Sequence, residues 1–144
     1  MIFKRFMMTA AALAAVASVS GPAAAQDGGP LTLVYACDKQ SEPCKTWETQ
    51  WEPIFTASPA SKKVTIRKIN APTKKALLQQ SSWPADLRWL LDVFLMSQEG
   101  VQDGYDTPRF FLLQDNSISF TSSGNNGWRE FMWPTILDMT NTRP

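Results

Sequence analysis

Two cysteines are the side chains of this sequence that are best suited to chemistry. Cys37 and Cys44 have six residues between them, and the sequence holds no further cysteine. Thiolates exchange with disulfides, whereas two thiols kept in an oxidising compartment form a lasting bond. Two hypotheses follow: a structural disulfide, worth about 2.5 kcal/mol for a loop of about eight residues, or a redox couple in which Cys44 is the thiol of lowered pKa. We favour the structural disulfide.

The composition excludes most other chemistry. The chain of 144 residues suits one domain and contains no histidine. This excludes Ser-His and Cys-His nucleophile pairs, zinc held by histidine, and covalent haem attachment through Cys-x-x-Cys-His. Two cysteines alone cannot form a four-thiolate centre. We therefore predict no metal site, no cofactor and no catalytic residue outside the two cysteines.

The N-terminal residues have the order of a secretory signal peptide. Lys4 and Arg5 precede an apolar run over residues 6–19, and a small-residue cleavage site follows at residues 23–25. The apolar run is too short for a comfortable membrane span. We predict a signal peptide over residues 1–25, a flexible leader over residues 26–30, and a periplasmic protein without a transmembrane span after cleavage. The periplasmic face of the inner membrane is one place for it.

The charge distribution bears on partners. Loss of Lys4 and Arg5 with the signal peptide turns the formal net charge of +1 into −1, so we predict no nucleic-acid binding. Basic residues are concentrated between positions 53 and 85, where no acidic residue occurs. A docking patch for an acidic partner or anionic lipid and a merely solvated surface are both open, and we favour the latter. The lysines concerned include Lys62, Lys63, Lys74 and Lys75.

The pattern of apolar residues predicts alternating strands and helices. A continuous β-prone run over residues 31–36 is typical of a strand covered on both faces. Ser41 is suited to cap a helix that runs to about residue 57, with Pro43 in its first turn and a kink near Trp51 caused by Pro53. The side chains predicted to face the core from this helix are Trp47, Trp51, Ile54 and Phe55.

The remaining elements follow the same logic. We predict strands over residues 64–69, 109–113 and 118–121, a short helix over residues 73–80, and a loop over residues 100–106. A helix that begins at Pro84 is expected to bury Leu87, Leu90, Leu91, Phe94 and Leu95. A last helix from about residue 126, kinked at Pro134, is expected to bury Trp128, Phe131, Met132, Ile136 and Met139.

Six tryptophans are an unusually large number for this length. Three occupy or adjoin core-facing helix positions and are expected to pack in the core: Trp47, Trp51 and Trp89. Three others flank helix starts or kinks, where core packing and contact with a partner are both open: Trp83, Trp128 and Trp133.

The order of elements resembles the thioredoxin-like superfamily. The motifs that carry this resemblance are Ser41-Glu42-Pro43-Cys44 with Trp47 behind it, Thr107-Pro108 before the third strand, and the glycine-containing turn before the last helix. The sequence is most similar in this respect to the periplasmic thioredoxin-like proteins of sulfur-oxidation operons. The resemblance implies one α/β domain over residues 31–144, with a central mixed four-stranded sheet flanked by helices.

The resemblance also implies a groove with altered chemistry. In this family a Cys-x-x-Cys pair is redox-active and packs against a cis-proline, which matches Pro108. Ser41 stands in the place of the attacking cysteine, and a serine hydroxyl neither ionises near neutral pH nor exchanges with a disulfide. The groove would comprise Ser41, Pro43, Thr107 and Pro108.

Two functions follow from these expectations. The first is an exported, non-catalytic accessory, assembly or stabilising subunit that binds protein partners in a periplasmic or membrane-associated complex. The small cofactor-free subunit of membrane-bound quinohaemoprotein dehydrogenases fits in size and character. The alternative is a periplasmic thiol-disulfide oxidoreductase that uses Cys44 with Cys37 as its resolving partner.

Overall fold

Four strands form one mixed sheet in the order β2-β1-β3-β4. The structure, a computed structural model, describes residues 29–97 and 107–144. The predicted signal peptide, most of the leader and the loop over residues 100–106 lie outside the described residues. β1 pairs with β2 in parallel, and the pairs β1-β3 and β3-β4 are antiparallel. The strands are β1 (Leu31–Asp38), β2 (Val64–Ala71), β3 (Arg109–Gln114) and β4 (Ser117–Ser123).

Helices cover both faces of this sheet. The α-helices are α1 (Glu42–Thr46), α2 (Glu52–Ala57), α3 (Lys74–Leu77), α4 (Arg88–Ser97), α5 (Gly124–Gly127) and α6 (Trp133–Thr140). The described residues also form two π-helical turns, Trp47–Trp51 and Trp128–Met132. The 3-10 turns among them are Pro59–Lys62, Gln80–Ser82 and Ala85–Leu87. The predicted α/β architecture, a mixed four-stranded sheet flanked by helices, is confirmed, and its strand order is that of the thioredoxin-like fold.

β1 is buried on both faces, as its continuous apolar run predicts. Leu33, Tyr35 and Cys37 belong to one hydrophobic cluster, whereas Val34 and Ala36 belong to another. Because successive side chains of a strand point to opposite faces, the single strand supplies both cores. The first core lies against α1, α2 and α6, and the second lies against α3 and α4.

The helical segment after β1 changes its winding immediately before Pro53. The Glu52 N–H donates to the carbonyl of Trp47, five residues back. Proline has no N–H and its ring crowds the preceding turn, and a widened π turn accommodates both defects. The extra residue rotates the side chains that follow, so Phe55 is buried and Ile54 is 55% exposed. The predicted irregularity near Trp51 is therefore a π turn, and the prediction that Ile54 faces the core is wrong.

The last helix repeats this arrangement before Pro134. The Trp133 N–H donates to the carbonyl of Trp128, again five residues back. In the wider turn Met132 takes the buried position together with Trp128, while Phe131 is 56% exposed. The predicted burial of Phe131 is therefore wrong for the same physical reason.

The helices on the opposite face of the sheet follow the predicted pattern less completely. The helix predicted over residues 73–80 is the single turn α3 followed by a 3-10 turn. Trp89 and Leu95 are each more than a third exposed, so the prediction that they pack in the core is wrong. Trp89 lies across α4 from the buried stripe and Leu95 lies at its border. The stripe itself is buried as predicted: Leu87, Leu90, Leu91 and Phe94.

The β3-β4 hairpin places the start of the last helix beside β3. Asp115 and Asn116 have positive φ angles of 51° and 60°. Two-residue hairpin turns need this left-handed backbone, which Asp and Asn adopt at low cost. β4 then runs to Ser123, and the Gly124 N–H donates to the Pro108 carbonyl at 2.8 Å. The last helix therefore begins two residues earlier than predicted, against the residue that precedes β3.

Replacement of two neighbouring residues tests the rotated face of α2. We expect Phe55→Ala to lower the free energy of unfolding by about 3–5 kcal/mol, because it leaves a cavity in the core. Ile54→Ala, an equally apolar truncation one position earlier, should change it by no more than about 0.5 kcal/mol. Urea denaturation of both variants measures these values. A larger loss for Ile54→Ala than for Phe55→Ala would contradict the rotation.

Candidate functional site

A disulfide joins the end of β1 to the first helix. Cys37 and Cys44 are bonded, with their Cα atoms 6.3 Å apart, within the range that a disulfide can span. Their exposed fractions are 0% and 2%. The predicted bond is therefore present in the structure, and both residues that form it are buried.

The motif residues of the predicted groove come together around this bond. Ser41 caps α1, because its Oγ accepts a hydrogen bond from the Cys44 N–H at 3.3 Å. The same Oγ lies 3.1 Å from Thr107 Oγ1. Thr107-Pro108 is a cis peptide bond, and Pro108 is buried. Pro43 is exposed, and its carbonyl accepts a hydrogen bond from the Asn125 side chain at 3.0 Å.

This arrangement fixes what the groove can do chemically. The Ser41 hydroxyl is engaged on two sides, by a backbone N–H and by a threonine hydroxyl. Such a group positions the helix start and offers neither a thiolate nor a metal ligand of thiol type. Within residues 29–97 and 107–144 no group of three or more His, Cys, Asp or Glu side chains is placed to hold a metal ion.

Sequence patterns did not reveal a buried tyrosine, Tyr35, whose hydroxyl lies close to the backbone of Cys44. The Tyr35 hydroxyl donates to Glu48 Oε1 at 3.3 Å and approaches the Cys44 carbonyl at 3.5 Å. Burial, followed by the negative charge of Glu48, raises the pKa of Tyr35 far above its ordinary value. The signal was available, since Tyr35 lies two positions before Cys37 on β1 and therefore on the same face of the sheet.

A lysine and a second carboxylate complete this cluster. Lys68 Nζ lies 2.8 Å from Glu52 Oε2 and 3.6 Å from Glu48 Oε1. The same ammonium group stands 5.4 Å from the centre of the Tyr35 ring. Each of these three charged side chains is about a third exposed or less, so the phenol is separated from solvent by a thin charged layer.

The tryptophans predicted at a partner surface divide into two groups. Trp83 and Trp128 are 2% and 1% exposed, so of the two roles left open for them the structure shows packing in the cores. Trp83 Nε1 donates to the Leu77 carbonyl at 2.8 Å, which satisfies its indole in the interior. Trp133 is partly exposed and remains a candidate for contact.

The candidate lysines fall into two pairs along the chain. Lys62 and Lys63 immediately precede β2, whereas Lys74 and Lys75 begin α3 beyond its far end. β2 has eight residues, which span about 25 Å. Lys63 Nζ also donates to the Thr140 carbonyl at 2.9 Å, at the end of α6. The two lysine pairs therefore lie at opposite ends of β2, and a role in docking stays a prediction.

The chain resembles a solved structure but matches no family model and no curated protein. Among solved structures, the chain is similar to the crystal structure of Malassezia sympodialis thioredoxin (Mala s 13), a member of a pan-allergen family. The identity is 16% and the TM-score 0.45, over 79% of this chain and 81% of that one.

The fold assignment rests on the sheet topology described above and not on this likeness. The relation to sulfur-oxidation operon proteins, and the equivalence of Ser41 to an attacking cysteine, stay predictions. Among the residues that the structure describes, no helix has both the length and the apolar character that crossing a membrane requires.

Removal of the disulfide tests its contribution to stability. We expect the double variant Cys37→Ala/Cys44→Ala to lose about 2.5 kcal/mol of unfolding free energy, because the reduced unfolded chain gains the entropy of an open loop. Denaturant titration measures this loss. Ser41→Ala, which removes the helix cap and keeps the bond, should cost about 1 kcal/mol. An unchanged stability of the double variant would show that the bond does not constrain the chain.

The buried phenol predicts a dependence on alkaline pH. The unfolded chain releases the tyrosine proton near pH 10, whereas folded Tyr35 retains it, so stability should fall by about 1.4 kcal/mol per pH unit above about pH 10. The sequence has two tyrosines, and a Tyr105→Phe background leaves Tyr35 alone. Absorbance of phenolate and urea denaturation between about pH 9 and 11 measure the effect. Adding Tyr35→Phe should abolish it, and titration of folded Tyr35 near pH 10 would contradict it.

Proposed function

We propose that this chain is an exported, non-catalytic thioredoxin-like subunit that acts by binding a protein partner in a periplasmic complex. The observation that carries the proposal is the burial of both Cys37 and Cys44 in one disulfide. A membrane-bound quinohaemoprotein dehydrogenase is one complex of suitable kind. Export rests on the signal-peptide pattern of residues 1–25, and the periplasm supplies the oxidising conditions that keep such a bond closed.

Access to sulfur separates binding from redox turnover. Thiol-disulfide exchange requires a thiolate to approach a sulfur atom of the disulfide and form a mixed disulfide with it. The presence of the bond is compatible with either function. Its burial supports a structural role, since Cys37 is 0% and Cys44 is 2% exposed and an external thiolate has no path to either residue in this conformation.

The groove supports the same proposal. In the family pattern, the attacking sulfur would stand at the position of Ser41. Its hydroxyl instead accepts the Cys44 N–H and contacts Thr107. A hydroxyl in this place stabilises the helix start and cannot form a mixed disulfide with a substrate. In this proposal the fold around Pro108 is retained, while serine replaces the cysteine that would react with a substrate disulfide.

Exposed apolar side chains offer contact surface on the helical segments that cover the first core. Ile54 is 55% exposed and Phe131 is 56% exposed. Ile54 belongs to α2, and Phe131 lies in the π turn that precedes α6. The two helical segments pack against each other, because the Phe55 ring contacts the rings of Trp128 and Trp133, each at 5.9 Å. Large apolar groups on neighbouring helices are typical anchors of protein interfaces.

A thiol-disulfide oxidoreductase is the alternative. It would use Cys44 with Cys37 as resolving partner, and it is favoured by the position of the bond beside cis-Pro108, where the resemblance places a redox pair. This function requires the junction of β1 and α1 to open, because Cys37 and Cys44 are 0% and 2% exposed.

Two assays on the mature chain distinguish these functions. We expect no reduction of insulin disulfides above the rate of Cys37→Ala/Cys44→Ala, and we expect the chain to migrate in a larger complex after gentle extraction from its native membranes. Ile54→Ser and Phe131→Ser should release it from that complex, because they remove apolar anchors. Met96 is 70% exposed in α4, on the opposite face of the sheet, and the control variant Met96→Ser should leave the complex intact.

The contrary results are equally clear. Insulin reduction that Cys44→Ser abolishes would establish the alternative. A chain that is monomeric in native extracts, or whose association is unaffected by both substitutions, would contradict the proposed binding role.

A further inference from the structure

Four aromatic side chains that are easily oxidised form a continuous path through the first core. The ring centroids of Tyr35 and Trp47 are 4.6 Å apart, those of Trp47 and Trp128 5.2 Å, and those of Trp128 and Trp133 5.8 Å. Tryptophan and tyrosine lose an electron more easily than other aromatic side chains, and rings in near contact exchange electrons without a covalent bridge. Since Trp133 is partly exposed, the path joins the interior to the surface.

The indole of Trp47 has an unusual environment. Its Nε1 is buried and has no hydrogen-bond partner among the described residues. Buried donors without partners are rare in proteins, and a redox role is one accepted explanation for them. An oxidised indole normally loses its N–H proton to an acceptor and becomes a weaker oxidant. Within residues 29–97 and 107–144 no acceptor reaches the Trp47 indole, so its radical cation keeps the proton and remains able to oxidise a phenol.

Tyr35 is arranged as the end of such a path. A phenol in a buried environment gives up an electron readily only when its proton can leave at the same time. The Tyr35 hydroxyl donates to Glu48 Oε1, and the Glu48 side chain is 30% exposed. The Lys68 ammonium lies 5.4 Å from the ring and disfavours a positively charged radical. The carboxylate can therefore take the proton and exchange it with water.

We propose that these four rings conduct single oxidising equivalents between the surface at Trp133 and Tyr35. A one-electron oxidant of high potential at the surface, such as an oxidised metal complex or an oxygen-centred radical, removes one electron from Trp133. Electrons then move outward from Tyr35 through Trp47 and Trp128, which restores the Trp133 indole. The phenolic proton passes to Glu48, so the products are a neutral tyrosyl radical, a neutral carboxylic acid and the oxidant reduced by one electron.

Conduction along these rings is independent of the proposed binding role. It requires the folded chain and an oxidant alone, so its failure would leave partner binding untouched, and a monomeric chain could still conduct.

Photo-oxidation of a labelled protein tests the path. Glu130 is exposed and lies one helical turn before Trp133, and the native cysteines are buried in their disulfide. A ruthenium polypyridyl complex is attached to the thiol introduced by Glu130→Cys in a Tyr105→Phe background, and it is oxidised by a laser flash with an external quencher. We expect an indole radical followed by a tyrosyl radical, detected by transient absorption and electron paramagnetic resonance.

Substitutions along the path define the expected kinetics. Trp47→Phe should slow formation of the tyrosyl radical by about tenfold or more, because it removes the intermediate step. Glu48→Gln leaves every ring in place and should abolish the tyrosyl signal while the indole radical still forms. This second variant changes a partly exposed side chain, so the test stands even where Trp47→Phe disturbs the core.

A matched control lies on the other face of the sheet. Trp83 is a buried indole whose ring contacts Phe94 at 6.1 Å, and phenylalanine is not readily oxidised. Trp83→Phe should therefore leave the kinetics unchanged. A tyrosyl radical that forms at the same rate in Trp47→Phe, or an indole radical that decays in the parent protein without any tyrosyl radical, would overturn the proposal.

Discussion

The Trp47 indole packs against aromatic rings from three other parts of the first core. Its ring stacks on Tyr35 of β1 and contacts Phe110 of β3 at 5.3 Å and Trp128 of the last helix at 5.2 Å. A single side chain thereby connects the first and the last helical segments to two neighbouring strands. Aromatic pairs of this kind add directional preference to the burial of apolar area, so the position of Trp47 helps to orient the last helical segment on the sheet.

The junction before this residue determines that position. Ser41 fixes the first turn of α1 through its hydrogen bond to the Cys44 N–H, and the disulfide holds that same residue against the end of β1. Trp47 follows Cys44 by three residues, which places both on one side of the helix. Ser41 and Cys44 therefore contribute directly to the packing of the core.

Much of the fold followed from local patterns. β1 was predictable because a continuous β-prone run without charged residues leaves a strand no solvent face, and the helix cap at Ser41 because the hydroxyl and Pro43 both favour a helix start. The exposed positions of Ile54 and Phe131 were not predictable from a period of 3.6 residues. Proline was expected to kink each helix, whereas the chain widened one turn instead and shifted the faces by one residue.

The site was predictable in part for similar reasons. The pairing of the cysteines was predictable because the sequence contains two of them, and the approach of Ser41 to Thr107 because the resemblance singles out both residues. The Tyr35 cluster was not, because Glu48, Glu52 and Lys68 come from a helix and a neighbouring strand, and only the three-dimensional arrangement brings their charges onto one phenol. The two lysine pairs are close in sequence but far apart in space, because an extended strand lies between them.

The position of the disulfide has a consequence for the order in which the protein matures. Both cysteines precede β2, so the bond lies within the first elements of the domain. β3, by contrast, is far from β1 in sequence, and the two strands can pair only after all the residues between them have been synthesised. Under the proposed export, the bond can therefore close in the oxidising compartment before the second half of the chain has crossed the membrane, so that the later strands would pack against a junction that is already covalently closed.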